Sequence, residues 1–488
     1  MTELSSPRPP VDPILDEVRR FYEEHHQGIE RSRRRHRYYY ECLTRILRVR
    51  VPEGQRILDL GCGAGDLLAA LQPSEGVGID VSSPAIRQAR ERHGGGSLRF
   101  LEGDLSDPAV LAEAGGPFDV ILLVNVVTHL NDVQAAFEAL HAVSHPRTRV
   151  LIYSYSRLWQ PVLRLAELLG LKYQQPPESW LPPEELRNML SLADFEVVRD
   201  DQHLVCPAGI PLLADLSNRY LGRLPLLDQL SLVFGLIARP ARRAPARPEK
   251  PTVSVVIPCR NEAGHIRPLV ESLPELPSGS EFLFVEGHST DDTAAVIEQV
   301  VAERRDLPLR FLRQPGKGKG DAVRFGFAQS KGDVLLILDS DMGVAPSDVP
   351  KFVAALARGK GEFVNGSRLV YPMEGKAMRF LNLLANKCFA LLFSWLLGQQ
   401  VRDTLCGTKV LWRDDYERIA THRSFFGDFD PFGDFDLLFG ASRLNLHIVD
   451  LAIRYRERRY GETNISRFRH GWLLLRMSLF AARKLRLL

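Results

Sequence analysis

The stretch 239–251, Arg-Pro-Ala-Arg-Arg-Ala-Pro-Ala-Arg-Pro-Glu-Lys-Pro, breaks the chain once, near its middle. It carries four arginines, four prolines, one lysine and a single glutamate, with no periodic apolar residues. Proline fixes φ and like charges repel, so the segment is expected as an extended, semi-rigid spacer. A chain of 488 residues has a prior of about three domains at roughly 150 residues each, but two larger ones fit as well. The spacer favours two, at 1–238 and 252–488, with 239–251 as the linker.

Composition enters as a set of exclusions. Apolar residues make up 45% and charged residues 25%, which rules out collagen, coiled coil and wholesale disorder and permits sizeable cores. A net charge of +3 is not that of a polycation built for nucleic acid. The six cysteines contain no CxxC pair and are expected as free thiols of a reducing compartment. The N-terminus is rich in Pro and Arg and lacks an apolar h-region, so no secretory signal is expected. The apolar stretch Phe380–Gly398 is interrupted by Asn382, Asn386 and Lys387, a poor bilayer span. The expected location is the cytoplasm, with peripheral contact on the inner face of the membrane.

Both flanks of the spacer alternate short apolar runs with helix-like segments. The runs are Arg56–Leu60, Gly76–Val81, Val120–Val124 and Val150–Tyr153, then Val253–Ile257, Glu281–Val285 and Asp333–Leu338. Such alternation predicts α/β architecture: two doubly wound domains with parallel sheets and sites at the strand C-termini. The basic, aromatic segment Phe21–Arg50 is expected to form a helical cap before the first strand, its charge a solvated face.

In the first half, Asp59-Leu-Gly61-Cys-Gly63-Ala-Gly65-Asp66 follows a strand, and Asp80 ends the next one. Glycines allow a tight turn and close backbone approach. An acid at that spacing can accept from both ribose hydroxyls. The dinucleotide fingerprint fails at its last glycine, where Asp66 stands. Two acids around the turn suit a cationic ligand such as S-adenosylmethionine, which carries no phosphate. Ile57–Asp66, Gly76–Val81, Leu101–Asp104 and Phe118–Leu130 together resemble the motifs of class I SAM-dependent methyltransferases over about residues 40–240. The resemblance implies that Asp59, Gly61, Gly63, Gly65, Asp80, Asp104 and Asn125 hold S-adenosylmethionine, with Asp104 on the adenine amino group. Related enzymes often have an acid where Asn125 stands. His129, after a strand end, is a candidate base for an acceptor hydroxyl, and Tyr153, Tyr155 and Trp159 are candidates for the acceptor pocket.

In the second half, Pro258-Cys-Arg260-Asn-Glu262 turns off a buried strand, and Val285-Glu286 ends another. Gly316–Ala322 offers lysines and glycines to a diphosphate, Lys319 and Asp321 among its residues. Asp339-Ser-Asp341 follows the apolar run Val334–Leu338. Two carboxylates at a strand end can hold Mg²⁺ or Mn²⁺, which bridges phosphates and offsets charge on a departing diphosphate. The set resembles family 2 glycosyltransferases of the GT-A fold over about residues 252–465. Val364–Arg368, Asp403–Lys409, Phe435–Leu438 and Arg456–Asn464 narrow the likeness to polyprenyl- and dolichyl-phosphate sugar synthases. Three positions depart from that pattern: Gly287 replaces a frequent aspartate, Leu438 a glutamate and Asn464 a lysine.

The resemblance implies that Pro258, Arg260, Glu262, Val285, Glu286, Lys319, Asp321, Asp339 and Asp341 bind a nucleotide-diphospho-sugar, UDP favoured over GDP. Asp339 and Asp341 would be the metal ligands, Asp403, Arg456 and Arg459 would face the acceptor, and Arg368 would be a catalytic residue that, with Arg456 and Arg459, makes up for the phosphate ligand Asn464 removes. The implied reaction is an inverting single displacement. A lipid phosphate acceptor needs no strong base, whereas a glycan hydroxyl does; Asp436 is then the first choice and Asp434 the second. The expected whole is a bifunctional methyl- and glycosyltransferase. The alternative is a single-activity glycosyltransferase with a regulatory or scaffold SAM-binding domain and a sugar-hydroxyl acceptor. Phe380–Gly398 and the basic tail Arg454–Leu488 are expected to touch anionic lipid.

Overall fold

The computed structural model describes residues 13–105, 107–176, 178–224, 227–241, 248–371, 380–423, 433–455 and 467–485. The chain divides into two compact units between positions 245 and 246.

The first unit is built on a seven-stranded sheet. Its strands are β1 (Arg56–Leu60), β2 (Glu75–Asp80), β3 (Leu98–Glu102), β4 (Phe118–Val124), β5 (Ser144–Tyr155), β6 (Phe195–His203) and β7 (Val233–Pro240). They lie in the order β3-β2-β1-β4-β5-β7-β6. The first five run parallel, and β7 runs antiparallel to both β5 and β6. Every residue of β7 is buried, which is why it reads as one continuous apolar run without alternation. The strand continues to Pro240, so the first two residues of the expected linker belong to the sheet. Arg239 is buried there and donates to Glu196 through Nε and Nη2 at 3.0 and 2.8 Å.

Three helices precede the sheet, Pro13–Glu24, His26–Arg35 and Arg37–Arg50. The third buries Tyr39, Leu43, Ile46, Leu47 and Arg50, the spacing of one helical face. Arg50 is fixed by a buried bidentate pair with Asp201 of β6, at 2.6 and 3.1 Å. That pair ties the cap to the far edge of the sheet.

The second unit repeats the plan. Its strands are β8 (Val253–Cys259), β9 (Glu281–Glu286), β10 (Leu309–Arg313), β11 (Val334–Ile337), β12 (Phe363–Ser367), β13 (Lys409–Trp412) and β14 (Ile448–Ala452). The order is β10-β9-β8-β11-β13-β12-β14, with β13 antiparallel to its neighbours β11 and β12. Both sheets are therefore mixed rather than purely parallel: each carries one antiparallel strand beyond its parallel half. The helix Phe380–Leu397 turns Asn386, Ala390, Phe393 and Leu397 inward. Phe393 packs on Phe435 and Phe439 at 5.1 and 5.3 Å between ring centres, and the helix rests against Arg467–Leu485. One face of this segment is thus part of the unit's core, and its interrupting Asn386 points into that core. No helix among the described residues is long and apolar enough to cross a membrane.

Candidate active sites

The first cluster forms where β1, β2 and β4 end. Gly61 stands at φ +78°, and a Cβ there would lie 2.7 Å from Val126 Cγ2, so both conformation and space demand glycine. Asp80 clamps the turn. Its Oδ2 accepts from Gly63 N at 2.8 Å and its Oδ1 from Ser82 N at 2.9 Å. Gly61, Gly63, Asp80, Asp104, Asn125 and His129 all line one cavity of about 260 Å³. Gly65 serves the fold instead. At φ +77° it starts the helix Asp66–Ala70 beneath the Phe100 ring.

Asp59 is buried, and its Oδ2 has no hydrogen-bond partner among the described residues. Burial pushes its carboxyl up to about 7, opposed by Arg33 and reinforced by Asp80. An orphaned acid at a strand end, next to an open glycine turn, fits a ligand carrying an ammonium group.

Sequence reasoning missed Arg33. It belongs to the helix His26–Arg35 and lines the same cavity. Its Nη1 lies 3.4 Å from the point a Cβ on Gly63 would occupy, and its Nη2 lies 3.8 Å from Asp66. The turn is therefore not simply acidic. It offers carboxylates together with a guanidinium, a set that matches an amino acid moiety with both its charges. The run Arg31–Arg35 was expected to be a solvated face; Arg33 alone among its arginines turns half inward.

A larger cavity of about 1240 Å³ adjoins the first and shares Tyr22, Arg33, Asn125 and His129 with it. Tyr155 and Trp159 line it. Tyr153 does not: it is fully buried, and its hydroxyl lies 3.4 Å from Asp201. His129 Nε2 is 3.1 Å from Tyr22 Oη and 3.8 Å from Glu178 Oε1, while its buried Nδ1 has no partner among the described residues. Burial, with Lys172 nearby, holds its pKa down at about 4, so the imidazole is neutral at pH 7 in the wall between the cavities. Tyr22 and Glu178 were invisible in the sequence because they come from segments 107 and 49 residues away from His129.

The second cluster forms at the ends of β8, β9 and β11. Asp339 is the meeting point. Lys319 Nζ lies 2.7 Å from its Oδ1. A Cβ on Gly407 would strike both Asp339 and Lys319, so this glycine keeps a cradle open over the carboxylate. Burial works against ionisation of Asp339, yet Lys319, with Arg368 and Lys409 nearby, holds it below the ordinary carboxylate range. Asp341 accepts from Gly343 N at 3.0 Å. Among the described residues no three His, Cys, Asp or Glu side chains converge on a metal position. Two carboxylates suffice for Mg²⁺ or Mn²⁺ when phosphates and water complete the shell, so the residues present fit that ion.

Several expected ligands are occupied elsewhere. Glu262 is buried, and its Oε2 pairs with His265 Nδ1 at 2.7 Å. Glu286 Oε1 accepts from Ser289 N at 2.5 Å, and Asp321 Oδ2 accepts from Gly316 N at 3.0 Å. These acids shape the loops around the crevice at Asp339. Val285 is buried within β9, so its side chain serves the core. Pro258 accepts from Ser340 Oγ through its carbonyl at 3.0 Å, and Arg260 is exposed beyond it.

Arg368 and Asp403 were expected as separate groups, and the structure joins them. Arg368 Nε and Nη2 bind Asp403 at 2.7 and 2.9 Å, and Asn386 Nδ2 adds a third bond at 2.9 Å. Asp403 is fully buried; it orients Arg368 and does not itself face an acceptor. Tyr455, also missed, lies beneath the Arg368 guanidinium at 5.0 Å and close to Gly343. Asp436 is buried and paired with Arg423 Nε at 2.7 Å, a poor setting for a base. Asp434 starts the helix Asp434–Arg443, and the side chain itself lies outside the described residues. Gly433, just before it, sits at φ +74° against Gly320, where a Cβ would lie 2.8 Å from Gly320 Cα. The helix therefore begins beside the lysine loop. Arg456 and Arg459 lie outside the described residues.

Two family models match the chain in separate places. One, described as a methyltransferase domain, covers residues 32–200. The other, glycosyl transferase family 2, covers residues 254–419. The chain joins a methyltransferase domain to a family 2 glycosyltransferase domain. The low-salt glycan biosynthesis hexosyltransferase Agl6 of Haloferax volcanii is 27% identical over 240 residues, 48% of this chain and 54% of that protein. The dolichyl-phosphate beta-glucosyltransferase of Dictyostelium discoideum is 24% identical over 222 residues, 42% of this chain and 66% of the relative. The chain thus spans about half the length of the first of these relatives. A SAM-dependent methyltransferase structure from Thermotoga maritima, a possible histamine N-methyltransferase, is 16% identical with a TM-score of 0.36, covering 45% of this chain and 99% of its own.

Proposed function

We propose that this chain is a bifunctional enzyme. Its methyltransferase domain transfers methyl groups from S-adenosylmethionine. Its family 2 glycosyltransferase domain carries out metal-dependent inverting transfer from a nucleotide-diphospho-sugar to a polyprenyl phosphate or another glycoconjugate acceptor. The observation that carries this reading is that both donor crevices are assembled in one chain: Asp80 clamps the glycine turn, and Asp339 meets Lys319 beneath Gly407.

In the methyltransferase domain, Asp80 would take the ribose hydroxyls and Asp104 the adenine amino group, with the turn Gly61–Gly63 against the methionine part. Asp59 would face its ammonium and Arg33 its carboxylate. The bound cofactor supplies an electrophilic methyl group. Neutral His129 removes the proton of the acceptor hydroxyl, and Glu178, 3.8 Å away, stabilises the imidazolium that results.

In the glycosyltransferase domain, Asp339 and Asp341 would hold Mg²⁺ or Mn²⁺, which supplies charge neutralisation to a leaving diphosphate. Lys319 is placed to leave Asp339 for the diphosphate. Arg368, preset by Asp403, is placed for an anionic acceptor. The pairing of Asp436 with Arg423 supports a lipid phosphate over a sugar hydroxyl, since the phosphate needs no base. UDP is favoured over GDP by the Asp403–Lys409 segment. The helix Arg467–Leu485 exposes Trp472, Leu475, Arg476, Leu479 and Arg483, which supports peripheral attachment to the inner face of a membrane.

The test is incubation of the full chain with S-adenosylmethionine, a panel of nucleotide sugars and polyprenyl phosphate. Asp339→Ala is expected to abolish sugar transfer and spare SAM binding, and Asp80→Ala to do the reverse. Sugar transfer that survives Asp339→Ala would remove the metal assignment.

A further inference from the structure

The first unit exposes apolar side chains in a concentrated way. Of the 22 large apolar side chains exposed among the described residues, six lie in 158–171 and nine in 210–230, against seven elsewhere. Scattered exposure is ordinary, but a cluster of this kind marks a contact surface. The two segments are joined: Trp159 Nε1 donates to Leu230 O at 2.8 Å, and Ser156 N donates to Leu232 O at 2.7 Å. The first segment borders the larger cavity, whose lining includes Trp159, Val162 and Leu171, and the second is flanked by residues that do, Pro207 and Ala208 before it and the buried Leu232 after it.

The local structure holds these side chains outward. The helix Gln160–Leu168 buries none of its residues, and Leu165, Leu168 and Leu169 are 55%, 80% and 64% exposed. Leu212 is 86% exposed at φ +62°, a left-handed conformation that costs a leucine energy. Charge indicates what meets this surface. The basic helix His26–Arg35 borders it, since Arg35 Nη1 reaches Gly170 O at 3.4 Å. Exposed Arg31, Arg34, Arg157 and Arg164 stand around the leucines, whereas Glu167 is paired with Lys172.

An apolar centre within a rim of arginines is complementary to an anionic bilayer. Leucines enter the acyl boundary while guanidinium groups meet lipid phosphates. We propose that the mouth of the larger cavity rests on an anionic lipid surface, so that the methyl acceptor is a sugar carried on a lipid and reaches His129 directly from the bilayer. This rests on the methyltransferase reading above and deepens it by naming the acceptor class.

The experiment uses the full chain with Cys206→Ser, Cys388→Ser and Trp472→Ser, the last to remove the anchor of the C-terminal helix. Leu168→Cys then carries an environment-sensitive dye, and phosphatidylglycerol-containing vesicles are titrated in. The expected result is a blue shift that weakens with salt and is much smaller with pure phosphatidylcholine. Leu165→Ser with Leu169→Ser should reduce partitioning by roughly tenfold or more, the loss expected when two leucines leave an apolar phase, with SAM affinity unchanged. No shift in a chain that still binds SAM overturns the membrane-facing mouth and leaves the methyltransferase reading standing. A dye already shielded without vesicles, or one whose shielding grows with protein concentration, shows a protein cover and overturns the proposal too. A lipid-dependent shift in a chain that binds no SAM overturns the acceptor assignment.

Discussion

Lys319 Nζ lies 2.7 Å from Asp339 Oδ1, so a lysine ammonium stands against the carboxylate that would hold a divalent cation. One positive charge can be exchanged for another only if the lysine leaves. Lys319 is the first residue of the helix Lys319–Gln329, after Gly318 at φ +90°, and its side chain has the reach to turn from the carboxylate to a phosphate.

Lys319→Met separates these two roles. Without nucleotide, Mn²⁺ should bind the variant more tightly by roughly tenfold, the equivalent of one pK unit of charge interaction, because no competitor remains. With UDP present, nucleotide affinity should fall instead. Calorimetric titration of Mn²⁺ with and without UDP checks both signs; Mn²⁺ affinity unchanged by the substitution would mean that the ion does not displace Lys319.

Asp59 gives a pH signature for the first crevice. Its carboxyl is raised from an ordinary 3.8 to about 7 by burial. A folded pKa above the unfolded one contributes stability that is complete below about pH 4 and is lost as pH rises through about 7. Asp59→Asn should therefore flatten the pH dependence of unit stability across that window and stabilise the ligand-free protein at pH 8. In the unsubstituted chain, a cationic ligand should expel the proton. Titration of S-adenosylmethionine at pH 6 in buffers of different ionisation enthalpy should reveal proton release that vanishes by pH 9. Absence of release at pH 6 would place the ligand's ammonium elsewhere.

The parts of this architecture legible in the sequence are those where chemistry is local. Asp80, Gly61, Gly63 and Asn125 all stand within a few residues of a strand end, and the sheet order brings those ends together. Asp339 and Asp341 follow the same logic. Contacts closed over long separations stayed hidden. Arg33 reads as one more arginine in a basic run until the helix His26–Arg35 lays it against Gly63. Arg368 and Asp403 read as two ligands until the turn of β12 and the loop before β13 close them into one pair. β7 was hidden for a different reason: its apolar run has no alternation and flows straight into the proline-rich segment.

His129 is expected to work as a neutral base over the whole useful range. With its pKa held down at about 4 by burial, methyl transfer should show no histidine-like inflection near pH 6.5 and should fall only toward pH 4. His129→Gln should lower kcat by at least about a hundredfold, the lower end for loss of a general base, with SAM affinity retained. Glu178→Gln should have a smaller effect on kcat. Pre-steady-state methyl transfer across pH 4–9 distinguishes these outcomes, and an inflection at 6.5 would show that the catalytic group is not this histidine.

The pair Arg368–Asp403 should behave as a structural unit that also positions a cation. Burial alone would raise the Asp403 carboxyl, but Arg368 and Asn386 bring it down to about 2. A depressed pKa contributes stability that is present above the unfolded value and is lost as pH falls from about 4 toward 2. Asp403→Asn leaves a buried guanidinium without its anion, a defect that costs about 3–5 kcal/mol; urea unfolding of the second unit should show it. Arg368→Lys keeps the charge and loses the two-point contact. It should therefore unfold less readily than Asp403→Asn yet raise KM for a lipid phosphate acceptor, while nucleotide affinity stays unchanged. If both variants lose stability equally and KM does not move, the pair serves the fold alone and the acceptor phosphate is held by other residues.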